Sequence, residues 1–399
     1  MEPFAFIVGL VAVVLVAVVW AIAWRRAVAR YGDETAPTSV EWLEAEDGWR
    51  LAVDRHRPEG TPRGVVVTCH GLGANRYNMD LMDGLSVVDR LVAHGWEVFN
   101  VDLRGNGRSA SGAPAGRSPR RWNFDDHVRF DVPAVLDHVR AQTGVDSVHW
   151  VGHSMGGMVM YAHLGRVPGD PRVASVVAVA SPAGLRPGFV VRAAGGFGRA
   201  LAATGVRIPA HLPGRVVAPF AFRAPLDLMV AWPPNLTTPS IRRMLIRLIE
   251  PLSPAMVQQF TRWIRKGEFT SEDGAEDYRA ALENVVTPFC FVVGPRDQLA
   301  PPASVRIAFE RIASPIKEYW HVGRADGAGT DHCHGSILLG PTAADDVYPL
   351  ITGWLTDREA GRPARDTSSL ENGQVAPQPP ASRAAMASAR DLASAAAAE

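Results

Sequence analysis

The 399-residue chain carries 41 Lys and Arg against 41 Asp and Glu, so no net field argues for nucleic acid as a partner. With 47% hydrophobic and 21% charged residues it has the balance of a globular protein, not of a disordered or fibrous one. Its three cysteines, Cys69, Cys290 and Cys333, form neither a zinc spacing nor a disulfide framework, and two of them sit in apolar runs as inert core residues.

The first element is an uncharged apolar run, Phe4 to Trp24, long enough to cross the hydrocarbon core as one helix. A signal peptide competes with this reading. Met-Glu-Pro in front carries no positive charge and the run exceeds a usual signal core, although Ala21-Ile22-Ala23 and Ala27-Val28-Ala29 resemble cleavage sites. Trp20 and Trp24 suit a membrane interface. Arg25, Arg26 and Arg30 follow at once, which predicts a single-pass anchor with the remainder on the cytoplasmic side. An extracytoplasmic domain is the alternative. Residues 25–37 read as a juxtamembrane linker.

Short strands are expected at Val40–Leu43 and Trp49–Val53, and a buried parallel strand at Val65–Cys69 that ends in His70-Gly71-Leu72-Gly73. A helix over Leu85 to Ala93 and a strand over Glu97 to Val101 follow, ending in Asp102-Leu103-Arg104-Gly105-Asn106-Gly107-Arg108-Ser109. Phe124 to Ala141 reads as a helix capped by Asn123, kinked at Pro133 and ended by Gly144. Ser147 to Val151 is a strand leading into Gly152-His153-Ser154-Met155-Gly156. This G-x-S-x-G pattern is that of a nucleophile elbow, where small residues two before and two after the serine permit a sharp strand-to-helix turn. The elbow leaves the Ser154 oxygen at a helix N-terminus, where backbone N–H groups favour a developing anion. Alternating strands and helices predict a parallel α/β sheet.

These motifs together resemble the α/β-hydrolase superfamily. His70-Gly71-Leu72-Gly73 is similar to its oxyanion loop, and the Asp102 to Ser109 segment is similar to its turn after the fourth strand. Trp122-Asn123-Phe124-Asp125-Asp126, Asp131-Val132-Pro133-Ala134 and the elbow resemble its acid-lipase branch. The resemblance implies a mostly parallel twisted sheet with helices on both faces and an inserted helical cap. The core then covers 38–183 and 286–356, the cap 184–285, and a tail rich in Ala, Ser and Pro, expected to be disordered, covers 357–399.

A serine needs a base, and the base needs an orienting carboxylate. In this fold their chain order is Ser, acid, His. Asp297 follows the strand-like Phe289–Val293 and matches the family's G-x-x-D acid position. His334 with Gly340 fits the spacing of the lipase-like H-x-D-x-x-x-G, with Ser336 where an acid is common; His332 is the runner-up base. His70, His153 and His321 read as structural, and Asp102, Arg104 and Ser109 as turn scaffolding. The backbone amides of Leu72 and Met155 would form the oxyanion hole. No cofactor or metal is expected, since adjacent His332 and His334 lack a partner pair.

The cap segment from Gly184 to Ile249 holds nine arginines and one acid, Asp227, mixed with Phe189, Phe197, Phe220, Phe222, Met229 and Trp232. It reads either as a solvated face or as a surface for lipid headgroups and acyl chains. Ile241 to Arg265 is expected to form two amphipathic helices broken near Pro251 and Pro254. Leu245, Leu248, Met256, Phe260, Trp263 and Ile264 read as cap core or as an acyl pocket. The expectation is a membrane-tethered serine hydrolase acting on a lipid or other acyl ester through an acyl-enzyme. Alternatives are acyl transfer, amide or peptide hydrolysis, and a catalytically silent binding or scaffold protein on the same fold. The oligomeric state is left open.

Overall fold

The computed structural model describes residues 2–116, 121–185, 203, 205, 207–220, 235–365 and 367. Phe189, Phe197, Phe222, Met229, Trp232, the Phe220 side chain and most of the 357–399 tail lie outside the described residues.

Eight strands form one sheet: β1 (Ser39–Glu44), β2 (Arg50–His56), β3 (Gly64–Cys69), β4 (Trp96–Asp102), β5 (Val148–His153), β6 (Val173–Val179), β7 (Phe289–Val293) and β8 (Lys317–His321). Their spatial order is β1-β2-β4-β3-β5-β6-β7-β8. Only the pairs made by β2 are antiparallel; from β4 to β8 every neighbour is parallel. The central strands are valine-rich and buried on both faces, as parallel strands between helical layers must be. Residues that leave their C-terminal ends therefore gather in one crevice.

Local chemistry explains most departures from the expected elements. The apolar N-terminal helix does not stop at Trp24 but runs from Glu2 to Tyr31. Leu85 and Ser86 pair with Asp80–Met82, and the helix starts at Val87, with the Ser86 hydroxyl accepting from the Asp89 N–H. In the 124–143 helix, Asn123 and Asp126 form a capping box. No proline kink is needed: the helix widens into a π-turn over His127–Asp131, and Pro133 falls in the first turn of the segment after it. The last helices are Ala343–Asp346 and Tyr348–Glu359. Beyond 356 the described residues are 357–365 and Thr367. The Arg365 N–H donates to Glu318, and the Tyr319 N–H donates to the Thr367 hydroxyl, so this segment covers the exposed edge of β8.

A buried ion network holds the turn after β4. Arg104 donates from Nε to Asp131 at 2.8 Å and from Nη1 to Asp47 at 2.8 Å, and His127 bonds Asp131 at 2.7 Å. The guanidinium also lies over the Trp49 and Phe130 rings. Burial alone would raise the Asp131 carboxyl, but Arg104 and His127 hold it below its usual range. Nearby, Ser109 donates to the Asp102 carbonyl and accepts from Ala52, and Asp102 accepts from Arg76 and Arg108. These polar residues are scaffold.

The cap rests on aromatic packing. Phe124 contacts Phe260, Trp263, Phe269 and Tyr278. Leu245, Leu248, Met256, Phe260 and Trp263 are buried, and Ile264 is packed at the edge. Asp125 accepts from Gln259, Glu272 and Tyr278, which ties the cap to the core helix. The two expected cap helices are found at Thr238–Arg243, continuing as a π-turn to Leu248, and at Pro254–Lys266.

Replacing Arg104 with Ala removes the guanidinium that pairs with two buried carboxylates and is expected to cost about 3–5 kcal/mol, read from the urea midpoint. The Asp131 contribution depends on pH. Its depressed carboxyl stabilises the fold above the unfolded value of about 3.9, and that stability disappears as pH falls through the lower folded value. Asp131→Asn should flatten this part of the acid limb of the stability curve.

Candidate active site

The turn at Ser154 is built by close backbone approach. Ser154 sits at φ 54°, ψ −117°, a conformation that few non-glycine residues adopt, and caps the helix Met155–Arg166. A Cβ on Gly152 would strike the Gly156 carbonyl, and one on Gly156 would strike the Cys69 carbonyl at the end of β3. The Trp150 indole donates to the Gly156 carbonyl at 2.9 Å, and the Ser154 N–H donates to Val179 at 2.8 Å. The Met155 N–H lies in the first turn of the helix, where no intrahelical acceptor exists.

The loop after β3 faces the serine. A Cβ on Gly71 would lie 3.1 Å from Ser154 Cβ. His70 holds this loop: its Nδ1 donates to the Gly71 carbonyl at 2.8 Å, and its Nε2 accepts from the Leu103 N–H at 3.1 Å. Burial lowers the His70 imidazole, which keeps that neutral arrangement. The Gly73 carbonyl accepts from the Glu250 N–H at 2.8 Å, so the cap stands directly on the loop that carries Leu72.

Asp297 and His334 meet across 37 residues of sequence. Asp297 Oδ2 lies 2.8 Å from His334 Nδ1, while Oδ1 accepts from the Leu299 and Ala300 N–H groups at 2.9 and 2.7 Å. The carboxylate is thus fixed before it orients the ring. Among the described residues no hydrogen bond joins Ser154 to His334. Such contacts commonly tighten only with substrate in place. His332 is engaged elsewhere, with Nδ1 at the Ser336 carbonyl and Nε2 2.9 Å from Asp346. Burial raises Asp346, yet hydrogen bonds from His332, Gly329 and Thr342 leave it below its usual range. His321 is held by Asp326 at 2.7 Å.

Two residues matter more than their sequence context suggests. His153 is not a mere neighbour of the serine: its Nε2 lies 3.0 Å from the His334 carbonyl and its Nδ1 2.9 Å from Asn78 Oδ1. The same Asn78 oxygen accepts the Gly71 N–H at 2.9 Å. Burial and the neighbouring His334 push the His153 imidazole well down. Together His153 and Asn78 connect the histidine loop to the glycine loop. Asn78 lies in a three-residue 3-10 turn with no sequence signature, and only folding brings it here. All three cysteines are buried, and burial raises their thiols, which argues against nucleophilic roles.

The chain matches the family model described as alpha/beta hydrolase fold over residues 64–205. Lipase 1 of Drosophila melanogaster is 31% identical over 133 residues, which cover 32% of this chain and 29% of that protein. Human lysosomal acid lipase/cholesteryl ester hydrolase is 27% identical over 143 residues, covering 33% and 36%. The chain spans about a third of the length of the curated relatives it matches. In fold, a solved thermophilic esterase from Thermogutta terrifontis aligns with a TM-score of 0.54 at 17% identity, covering 81% of this chain and all of that one. Asp297 and His334 lie beyond the segment that the family model matches, so their pairing is a finding of the fold.

Asn78→Ala should leave the Gly71 N–H buried and unpaired. The expected cost is about 1–3 kcal/mol in chemical unfolding, with faster hydrogen exchange at the Gly71 amide.

Proposed function

We propose that this chain, an α/β-hydrolase by fold and by family resemblance, is a membrane-tethered serine hydrolase of carboxylic esters. The single observation that carries the reading is the 2.8 Å contact of Asp297 with His334, whose ring packs against His153 next to the strained, half-buried Ser154. Lipid or other acyl esters are the proposed substrates, in keeping with the lipase names of its relatives.

In this mechanism Ser154 attacks the acyl carbonyl and His334 Nε2 takes its proton. Asp297 holds the Nδ1–H and stabilises the imidazolium that forms. The Leu72 and Met155 N–H groups face the tetrahedral oxyanion, and one such donor is typically worth about 3 kcal/mol. The intermediate collapses when His334 protonates the leaving alcohol. Water, activated by the same ring, then releases the acid and restores Ser154. His153 and Asn78 position the two loops and do not exchange protons with substrate. The residue assignment is Ser154, Asp297 and His334, with Gly152 and Gly156 shaping the elbow.

The domain reading is a core over 38–183 and 286–356 with a cap over 184–285. The N-terminal helix is proposed as a single-pass anchor with the catalytic domain on the cytoplasmic side, supported by Arg25, Arg26 and Arg30 at its exit.

A fluorophosphonate probe should label the protein, and Ser154→Ala should abolish the labelling; persistent labelling of that variant would overturn the nucleophile. His334→Ala should reduce p-nitrophenyl ester turnover by about 10³-fold or more, whereas His332→Ala should act mainly on stability through the lost Asp346 contact. The opposite pattern would reverse the assignment of the base.

A further inference from the structure

The short helix His211–Val217 meets the N-terminal helix through a tryptophan contact. The Trp20 indole N–H donates to the Val216 carbonyl at 3.1 Å, 196 residues away in sequence. Trp20 also stacks on Trp24, with centroids 5.7 Å apart. Trp20 precedes Arg25 by five residues, which is about 7.5 Å along a helix axis on the apolar side of the arginine cluster. Resting on the tethered reading above, Trp20 belongs to the membrane interface, and the group that bonds its indole is at the same depth.

The two faces of the helix differ in a way that fits this depth. On the inner face, Gly214 is pressed against Leu245 and Ala218 follows fully buried. On the outer face, Leu212 and Val216 lie one turn apart and are 49% and 55% exposed. Arg215, beside them, is also exposed. The apolar side chains of the N-terminal helix from Leu10 to Val19 are similarly bare, so the patch continues a surface already suited to acyl chains.

The other described arginines of this segment do not supply a headgroup surface. Arg243 donates to the carbonyls of Tyr31, Asp33 and Leu81, Arg242 bonds and covers Tyr31, and Arg247 pairs with Glu34. Arg207 donates to the Gly105 carbonyl. The contacts of Arg242, Arg243 and Arg247 tie the cap to the exit of the N-terminal helix.

We propose that helix His211–Val217 is a membrane-embedded part of the cap, with Leu212 and Val216 among the upper acyl chains and Arg215 at the headgroup phosphates of the bilayer. Its connection to the reaction site is short. Ile208, just before the helix, exchanges two backbone hydrogen bonds with Leu252 at 3.0 and 2.9 Å, and Glu250 bonds the Gly73 carbonyl of the loop facing Ser154. The substrate class it selects is an ester presented by the bilayer, not one dissolved in water.

The test uses the full chain in vesicles of phosphatidylcholine and phosphatidylglycerol. An environment-sensitive fluorophore is attached through Leu212→Cys, Val13→Cys or Val286→Cys, the last at an exposed position preceding β7. The Leu212 and Val13 labels should be quenched by spin-labelled lipid and shielded several-fold from aqueous iodide, while the Val286 label is quenched by iodide. Iodide quenching at positions 212 and 286 with position 13 shielded overturns this inference and leaves the anchor standing. Iodide quenching at all three overturns the anchor reading as well. In addition, Leu212→Glu combined with Val216→Glu should reduce turnover of a long-chain ester in vesicles at least ten-fold and leave p-nitrophenyl acetate turnover unchanged; undiminished vesicle turnover would overturn the proposal.

Discussion

The whole arrangement depends on one strained backbone position. Ser154 holds φ 54° because β5 must turn into a helix within a space that the Gly156 and Cys69 carbonyls nearly fill. Strain of this kind costs roughly 1–3 kcal/mol and persists only where the surroundings over-determine it. Here they do. Trp150 fixes the Gly156 carbonyl from behind, and Val179 of β6 holds the Ser154 N–H. The parallel strands on both sides are buried at all but one position each, so the sheet cannot relax to relieve the turn.

The rest of the site is arranged around that point by polar contacts that are all local to the carboxyl ends of the strands. His70 and Asn78 hold the loop after β3. The Leu299 and Ala300 amides hold Asp297, and Asp297 holds His334. His153 closes the circuit between the two loops. Most of these groups are buried, so each unmade bond would carry a desolvation cost and the network tends to form as a unit. The buried Asp47–Arg104–Asp131–His127 chain does the same for the turn after β4, with charge in place of strain.

The cap is coupled to this circuit at two ends. Phe124 and Asp125 of the core helix receive its aromatic cluster and its polar groups, and the Gly73 carbonyl receives the Glu250 N–H. Its arginines reach the opposite way, to Tyr31, Asp33 and Glu34. Among the described residues, Arg207, Arg242, Arg243 and Arg247 of this basic segment bond other parts of the protein. Composition counts charges, but only packing decides which of them meet carbonyls and carboxylates and which meet solvent.

What the sequence by itself determined is whatever rests on local chemistry. The valine runs set the parallel strands, because two-sided burial requires continuous apolar residues. The glycines at 152 and 156 set the elbow, because close backbone approach tolerates no Cβ. The Asn123 and Asp126 pair set a helix start. The same order of motifs was enough to nominate Ser154, Asp297 and His334. The tertiary structure alone decided what depends on contacts between distant segments: that Asp297 faces His334 while His332 turns to Asp346, that Asn78 supports Gly71, that Arg365 and Thr367 bond the edge of β8, and that Trp20 meets Val216. No sequence window contains both partners of such a contact, and side chains of similar polarity compete for each. The elbow is legible because its constraint lies within five residues; its surroundings are not, because theirs spans the chain.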